Sequence, residues 1–418
     1  MPATDTVVDR LPRPYLVWLS GVSVGRLGDA VLTFALGWAA AGHGGTTAAL
    51  VLTLSGLPRL VLLVLGGAVA DRFGARRLLI AGEAAALALT VVLALALARF
   101  GAPTWLLLTA SLALGTVTAF CLPATGSMPR RLVPDDQLTR ALALRQGSGQ
   151  VVLLAAAPLG GALVASVGLP AIAWADAAAL AVSLGVLVAV RGLSGSAPDG
   201  LAVGAGRRRR LDLADGFRVV ARTTGLRRGL ALTGAGAALQ LPVPSLLVPL
   251  LGRASGWGPG ATGVVAGAVG VGVVCAALLA ARRRPVASPA VAAPAASGLV
   301  LGAVGTGVLA SSQVVGGPAG TVVAVLGALV FGVGNGVFVA RLAPFVLGSA
   351  PRSHLARVQA LVGLVQLVPV MATNTVLGAL SEHASPGLAL VTTAGGLAVC
   401  AIWAHRWGPL AVAPSRAA

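Results

Sequence analysis

Two opposite charges lie three residues apart within an apolar stretch of the sequence, Arg26 and Asp29 in GRLGDAVL. On a helix this spacing places both side chains on the same face. An unpaired charge at the centre of a bilayer costs about 2.5–3.5 kcal/mol on insertion scales, so both residues are expected to face the protein interior. Because arginine keeps its proton, Asp29 is the candidate proton carrier, and Arg26 would tune its affinity. The alternative is a purely structural ion pair.

Further polar side chains within apolar stretches extend the set of candidates. Glu83 lies a few residues into its stretch, where it either reaches the aqueous surface or takes part in coupling. Arg59 lies in the middle of a stretch and needs a partner, for which Glu83, Asp29 or a backbone carbonyl are candidates. Asp176 lies near the start of another stretch, where a capping or helix-dipole role is expected. Four amides either line a cavity or pack helices together: Gln240, Asn335, Gln366 and Asn374.

Composition and motifs argue against an enzyme. The chain has no lysine, which excludes a GxxxxGK[ST] phosphate loop and a lysine Schiff base. GVSVG at residues 21–25 matches the GxSxG pattern of serine hydrolases, but it lies inside an apolar stretch, so packing of small residues explains it better. An intramembrane serine hydrolase using Ser23 is the alternative from a different class. The three cysteines are isolated and no metal-binding motif occurs, so neither a metal nor a cofactor is expected.

Membrane-spanning helices must position these side chains. The chain has 418 residues, of which 57% are hydrophobic and 10% charged, and its mean hydropathy is +0.92. Stretches of about 20 apolar residues are long enough to cross the hydrocarbon core as helices. The sequence predicts an all-α membrane protein with about twelve spans. They lie near residues 15–40, 47–70, 78–98, 103–127, 143–167, 170–191, 229–251, 260–281, 295–314, 318–340, 356–380 and 387–405.

The distribution of arginines predicts the topology. If the N-terminus is cytoplasmic, nearly all arginines outside the spans fall in cytoplasmic segments, and Arg99 and Arg253 are the two in outer loops. The protein is expected in the cytoplasmic membrane, and the positive-inside rule then places both termini in the cytoplasm. The arginines are expected to contact anionic lipid headgroups, and no nucleic-acid partner is expected. A basic loop at 192–228 would separate six-helix halves at 1–191 and 229–418.

An internal repeat supports this division. PDDQLTRALAL, which begins at Pro134, matches PRSHLARVQAL, which begins at Pro351, in proline, leucine, arginine and alanine positions at a constant offset of 217. Each copy opens a span with proline, which suits the first turn of a helix. Two parallel halves of six helices each are typical of secondary transporters, which bind substrate between the halves.

A short charged segment, GGAVADRFGARR, links the second and third predicted spans. It resembles the G-x-x-x-D-R-x-G-R-R loop of the major facilitator superfamily, with Ala75 as an inserted position. The matching residues are Gly67, Asp71, Arg72, Gly74, Arg76 and Arg77. The resemblance implies the twelve-helix fold of that superfamily and a conformational switch in which the acid docks at the start of span eleven.

Asp71 is the residue expected to act in this switch. Span eleven begins with the residues RSH at 352–354 and lacks an acid, whereas span five begins with Asp135 and Asp136. We therefore hypothesise that Asp71 caps span eleven, where a helix N-terminus offers unpaired N–H groups. The alternative is an anchoring loop with no role in switching.

The fifth predicted span contains AAAPLGGAL, which resembles part of the GPxxGG motif of drug/proton antiporters. Pro158, Gly160 and Gly161 match the motif, whereas alanine replaces its first and last glycine at Ala157 and Ala162. The arginine that many such antiporters have in span four is absent from this sequence. In the superfamily span one lines the central cavity, which would place Arg26 and Asp29 beside the substrate.

The sequence as a whole predicts two pseudo-symmetric halves of six helices each, with the major facilitator fold and no enzymatic activity. It resembles the drug and macrolide exporter branch. The expected function is export of small amphipathic or hydrophobic compounds by alternating access, in exchange for protons, by a monomer. The alternative is a transporter of the same fold for a specific metabolite or siderophore.

Overall fold

The computed structural model describes residues 11–65, 75–190, 224–282, 292–349 and 355–406, almost all of them in long helices. We number the helices by span. The first half comprises α1 (Arg13–Ala41), α2 (Gly45–Leu65), α3 (Ala75–Phe100), α4 (Thr104–Ser127), α5 (Leu138–Ser166) and α6 (Gly168–Ala189). The second comprises α7a (Thr224–Gln240), α7b (Val248–Ala254), α8 (Pro259–Arg282), α9 (Ala292–Val315), α10 (Gly317–Gly348), α11 (Leu355–His383) and α12 (Pro386–Arg406).

The helices agree closely with the predicted spans. Among the described residues, eleven helices are long and apolar enough to cross a membrane, and α2 ends where the described segment ends. Helices α5 and α7a each begin about five residues before the predicted starts at 143 and 229, and two further details differ from the prediction. The seventh span is interrupted by a π-helical turn, Val243–Leu247, between α7a and α7b, where the sequence LPVPSLLVP places prolines close together. Helix α10 continues beyond the predicted residue 340 to Gly348.

The two halves are assembled in the same way. In the first half, α1 packs against α5 and α6, α3 against α4 and α6, and α2 against α4. The corresponding helices of the second half repeat these pairings: α7a with α11 and α12, α9 with α10 and α12, and α8 with α10. Helices α5 and α11 also end 217 residues apart, at Ser166 and His383, which is the offset of the sequence repeat. The fold therefore consists of two pseudo-symmetric halves.

The helix ends lie on two faces of the bundle. Tight turns at 42–44, 101–103, 255–258 and 384–385 form what we call the short-loop face. Glycines with positive φ allow such turns, for example Gly101 at 72° between α3 and α4. The opposite face, where α1 begins and α12 ends, is called the terminal face.

The outer surface of the bundle is apolar, as expected for helices in lipid. Large hydrophobic side chains are more than half exposed on several helices, among them Val92, Leu95, Val182 and Val322. Inside, one large hydrophobic cluster runs through both halves. A smaller cluster near the terminal face of the first half contains the buried rings of Tyr15 and Trp18. It packs the start of α1 against α5 and α6.

Candidate functional site

A cavity of about 120 Å³ lies inside the first half, between α1, α3, α4 and α6. Its charged lining comprises Arg26 and Asp29 from α1 and Glu83 from α3. The Ser183 hydroxyl of α6 lies beside the Glu83 carboxylate, whose Oε2 atom is buried without a hydrogen-bond partner among the described residues. Three residues that the sequence marks as coupling candidates are thus neighbours in space. Their role in coupling stays a prediction.

Asp176 adds a third carboxylate to this region. It is 1% exposed, and its carboxylate lies against Gly28, next to Asp29 in sequence. Neither of its oxygens makes a well-formed hydrogen bond to a described residue, although the buried Thr90 hydroxyl lies beside it. Asp176 is also close enough to Asp29 and Glu83 to interact electrostatically. Burying three carboxylates this close together is costly unless at least one of them carries a proton.

The expected capping role of Asp176 is wrong. Helix α6 begins at Gly168, and Val167 precedes it without a side-chain cap. Asp176 therefore lies about two turns inside the helix, beyond the reach of the terminal N–H groups. A capping role was expected because Asp176 lies near the predicted start of its apolar stretch.

A second cavity, of about 530 Å³, opens between α1 and α5 on the other side of Arg26. Its lining consists of Arg26, Leu142, Arg145, Gln146, Gly149 and Gln150. The α5 residues are spaced three and four apart, so they share one face of that helix. Arg26 therefore lies between a cavity with carboxylates and a cleft with a second arginine.

Glycines bring the two halves into contact at two helix pairs. In the α5–α8 pair, a Cβ atom at Gly161 would lie 2.9 Å from Gly263 Cα, and Gly267 packs on the Pro158 ring. In the α2–α11 pair, a Cβ atom at Gly378 would lie 2.6 Å from Ala49 Cβ. These contacts lie in the parts of the helices nearer the short-loop face. Only small residues allow such close approach of helix backbones.

The segment that resembles an antiporter motif forms part of this contact. Gly161 faces α8, as described, and Gly160 faces the Phe34 ring of α1, where a Cβ atom would lie 2.8 Å from the ring. Pro158 meets Gly267 of α8. The three residues thus pack α5 against both halves.

Charged side chains from the second half bind helix ends of the first half at the short-loop face. Arg253 donates a 2.9 Å hydrogen bond to the Trp38 carbonyl in the last turn of α1, and its guanidinium stacks 3.9 Å above the Trp38 ring. Glu382, near the end of α11, accepts hydrogen bonds from the Thr46 backbone N–H, at 2.8 Å, and from the Thr46 hydroxyl. A cation at a helix C-terminus and an anion at a helix N-terminus both match the helix dipole.

The remaining predicted residues are not brought into the two cavities. Arg59 is exposed on α2 and lines neither of them. Among the amides, Gln240 and Asn374 are buried, Asn335 and Gln366 are half-buried, and all four lie outside both linings.

The predicted switch loop lies mostly outside the described residues. This applies to Gly67, Asp71, Arg72 and Gly74, and also to the start of span eleven at 351–354. Arg76 is described: it donates hydrogen bonds to the carbonyls of Leu187, at 3.3 Å, and Val188, at 3.1 Å, at the end of α6. Arg77 is exposed at the start of α3.

The GVSVG segment packs helices. Cβ atoms at Gly21 and Gly25 would lie 2.8 Å from the Val186 side chain and 3.1 Å from that of Ser183, both on α6. Small-residue packing is therefore confirmed for these glycines. Among the described residues, no group of histidine, cysteine, aspartate or glutamate side chains could hold a metal ion.

Sequence reasoning missed Arg145, Gln146 and Gln150, and also the contacts of Arg253 and Glu382. The run RQGSGQ in α5 carried a signal, because its arginine and glutamines fall on one helix face. Nothing local indicates that Arg253 reaches Trp38 or that Glu382 reaches Thr46, since each pair joins distant parts of the chain.

Comparison with known proteins identifies the fold. The sequence profile described as Major Facilitator Superfamily matches residues 18–373. The nucleoside transporter NupG has a TM-score of 0.72 at 14% identity, covering 94% of this chain and 98% of that chain. A POT family transporter in complex with 5-aminolevulinic acid has a TM-score of 0.72 at 13% identity, covering 95% of this chain and 96% of that chain.

The structure of a bacterial homologue of the iron transporter ferroportin, in an inward-facing state, is similar to this chain to about the same extent as the two transporters above. Its TM-score is 0.71 at 16% identity, and the alignment covers 94% of this chain and 98% of that chain. At such identities the likeness shows the fold alone. No curated protein matches the chain in sequence.

Proposed function

Because the chain belongs to the major facilitator superfamily and is a membrane transporter of that type, we propose that it is a secondary active transporter in which proton binding at Asp29 drives alternating access. The supporting observation is the cavity in which Asp29, Arg26 and Glu83 meet, with Asp176 beside it. Side chains that bind and release a proton inside the bilayer are characteristic of proton-coupled transporters.

The proposed cycle follows from the contacts between the halves. The protein is a monomer in the cytoplasmic membrane, with both termini in the cytoplasm. In this orientation the α1–α5 cleft opens to the cytoplasm, and the short-loop face is closed. Protonation of Asp29 weakens its attraction for Arg26. Because Arg26 also lies against α5, this change alters how α1 is held against α5. Substrate release on the other side requires the α2–α11 and α5–α8 contacts to separate. Asp71 would then cap span eleven to stabilise one of the two states.

Export in exchange for protons is the first mode. It is supported by the resemblance of Pro158, Gly160 and Gly161 to an antiporter motif and by their place at the contact between α5 and α8. The substrates are small amphipathic or hydrophobic compounds, which bind in the cleft while Asp29 is ionised. Protons from outside then displace them at the end of the cycle.

A specific metabolite, moved together with protons, is the second mode. The observation that favours it is the cleft with two arginines, Arg26 and Arg145. Protonation of Asp29 frees Arg26 from its neighbour, so an anion on Arg26 and a proton on Asp29 promote each other's binding. Glu83, Asp176 and Cys121 face Asp29 from α3, α6 and α4, and Arg145 faces Arg26 from α5. This linkage produces co-transport.

Transport of a chemically varied compound panel into inverted membrane vesicles with an imposed pH gradient tests the proposal. An inside-acid gradient drives compounds into the vesicles if they exchange for protons, and an inside-alkaline gradient does so if they move with protons. Asp29→Asn should abolish gradient-driven accumulation, whereas Asp29→Glu, which keeps a carboxyl group, should retain part of it.

Two outcomes would contradict the proposal. Accumulation that ignores both the gradient and the Asp29→Asn change removes proton coupling at Asp29. Absence of any accumulation across the panel, in vesicles that contain monodisperse protein, removes transport of these compound classes. The direction of the effective gradient separates the two modes.

A further inference from the structure

The α1–α5 cleft carries positive charge that no described carboxylate offsets on its α5 side. The groups that act electrostatically on Arg145 are Arg26, a like charge, and Tyr15, a neutral phenol. The Nε atom of Arg145 is buried without a hydrogen-bond partner among the described residues. Two guanidinium groups held near each other in this way repel, and an anion bound between them would offset the repulsion.

Packing holds both arginines in place. The Tyr15 ring is fully buried, and its hydroxyl donates a hydrogen bond to the Ala141 carbonyl, one helical turn before Arg145. This contact fixes the start of α1 against α5. On the other side of the cleft, Arg26 lies against α5, since a Cβ atom built on Gly149 would be in van der Waals contact with Arg26 Nη1, at 3.6 Å. The arrangement is therefore built into the fold.

The rest of the lining suits an organic ligand. Gln146 and Gln150 are one turn apart on the same face of α5, and each offers an amide donor and acceptor to the cleft. Leu142 adds an apolar surface. The volume of about 530 Å³ lies in the range of pockets that hold small organic molecules, about 300–1,000 Å³.

We infer that the α1–α5 cleft binds the oxyanion group, carboxylate or phosphate, of a small organic anion between Arg26 and Arg145. Guanidinium groups bind such oxyanions through paired, charge-assisted hydrogen bonds. The glutamine pair then contacts the polar part of the ligand. This inference rests on the proposed transport function in its second mode and specifies the chemical class of the metabolite.

The test uses two probes of the same shape and different charge, benzoate and benzamide. Their binding to the purified full-length chain in a neutral detergent is measured by isothermal titration calorimetry. Benzoate should bind and benzamide should not. Arg145→Gln should weaken benzoate binding roughly ten- to hundredfold, and Arg145→Lys by less, because lysine keeps the charge and loses the paired geometry.

Arg99→Gln is the matched control, since Arg99 is exposed at the opposite face of the bundle. It should leave benzoate affinity unchanged, and size-exclusion profiles should show that each variant is folded. Equal benzoate affinity in the wild-type chain and in Arg145→Gln would overturn the inference. Equal affinity for benzoate and benzamide would overturn it as well.

An anionic lipid headgroup is a second source of the same chemistry. Benzoate binding is therefore repeated in nanodiscs of phosphatidylcholine with and without phosphatidylglycerol. Weaker benzoate binding in the discs with phosphatidylglycerol, in the unsubstituted chain and equally in Arg99→Gln, supports the oxyanion site with lipid as its occupant. Unchanged affinity supports a site for soluble anions.

This assay needs neither a gradient nor transport. Binding of benzoate that depends on Arg145, in a chain that transports nothing, would leave the site intact and contradict the proposed function. Transport that depends on Asp29, with no benzoate binding, would do the reverse.

Discussion

The two ends of α5 are built from different kinds of residues. Near the short-loop face, Pro158, Gly160 and Gly161 pack directly against α8 and α1. Nearer the terminal face, the same helix presents Arg145 and Gln146 to the open cleft. Small residues allow helices to pack together without a ligand, whereas guanidinium and amide groups need water or a bound partner to satisfy their hydrogen bonds. The comparison suggests that one end of the interface closes by packing and that the other end closes on a ligand.

Charges at the two faces differ in the same way. At the short-loop face, Arg253 and Glu382 of the second half bind helix ends of the first half. At the terminal face, Arg76 binds the end of α6, which belongs to its own half. In the proposed cycle the first two contacts break when the halves separate at the short-loop face, whereas the Arg76 contact can persist throughout.

A larger side chain at the α2–α11 glycine contact should have the greatest effect on the separation of the halves at the short-loop face. Gly378→Leu would force a side chain into Gly45 and Ala49 of α2. Overpacking of this kind costs about 1–3 kcal/mol, which shifts the equilibrium about five- to 150-fold toward separation at the short-loop face. Transport should fall accordingly. The shift is measured as a longer distance between spin labels at Trp105→Cys and Val314→Cys, in a chain whose native cysteines are replaced.

Gly395→Leu is the control for this substitution. Gly395 lies on α12, and a Cβ atom there meets nothing within 4 Å. The label distance and transport should match the unsubstituted chain. If Gly378→Leu also leaves the distance unchanged, the short-loop face does not depend on the glycine contact, and the comparison between the two ends fails.

Removing the charge of Glu382 should have a smaller effect in the same direction. Glu382→Gln keeps the shape of the side chain but weakens both hydrogen bonds from Thr46 and the attraction to the N-terminus of α2. Because Glu382 is exposed, solvent screens part of this attraction, and we expect a two- to fivefold shift toward separation. The same pair of spin labels measures it.

Thr46→Val, alone and combined with Glu382→Gln, completes a double-mutant cycle. Strictly additive shifts would show that the two side chains act independently, against the contact described here. A combined shift no larger than that of Glu382→Gln alone would support it.

The architecture was predictable from sequence because its signals are local. Apolar length gives the spans, and the repeat beginning at Pro134 and Pro351 gives the two halves, since each depends on residues that are close in the chain. The common location of Arg26 and Asp29, which line the same cavity, was predictable for the same reason. The neighbourhood of Asp29 and Asp176 was not, because it depends on how α1 packs against α6.

The contacts between the halves show the same limit. Gly161 and Gly263 are each one of many glycines in apolar stretches, and nothing in either stretch identifies the other as its partner. Arg253 was expected in an outer loop, and it is found in α7b, bound to Trp38. Pairing of distant segments follows from the packed fold, which periodicity and composition do not specify.

Substitution of Arg76 should have the smallest effect, and it should lower thermal stability without changing the distance between the halves. Arg76→Gln removes hydrogen bonds of 3.3 and 3.1 Å to the last carbonyls of α6, which costs about 0.5–1 kcal/mol within one half. We expect the melting temperature to fall by about 1–2 °C, with the label distance at the short-loop face unchanged. Arg77→Gln, at the exposed neighbouring position, should alter neither quantity. If Arg76→Gln lengthened that distance as Glu382→Gln is expected to do, charges at both faces would act between the halves, and the distinction drawn between the faces would be wrong.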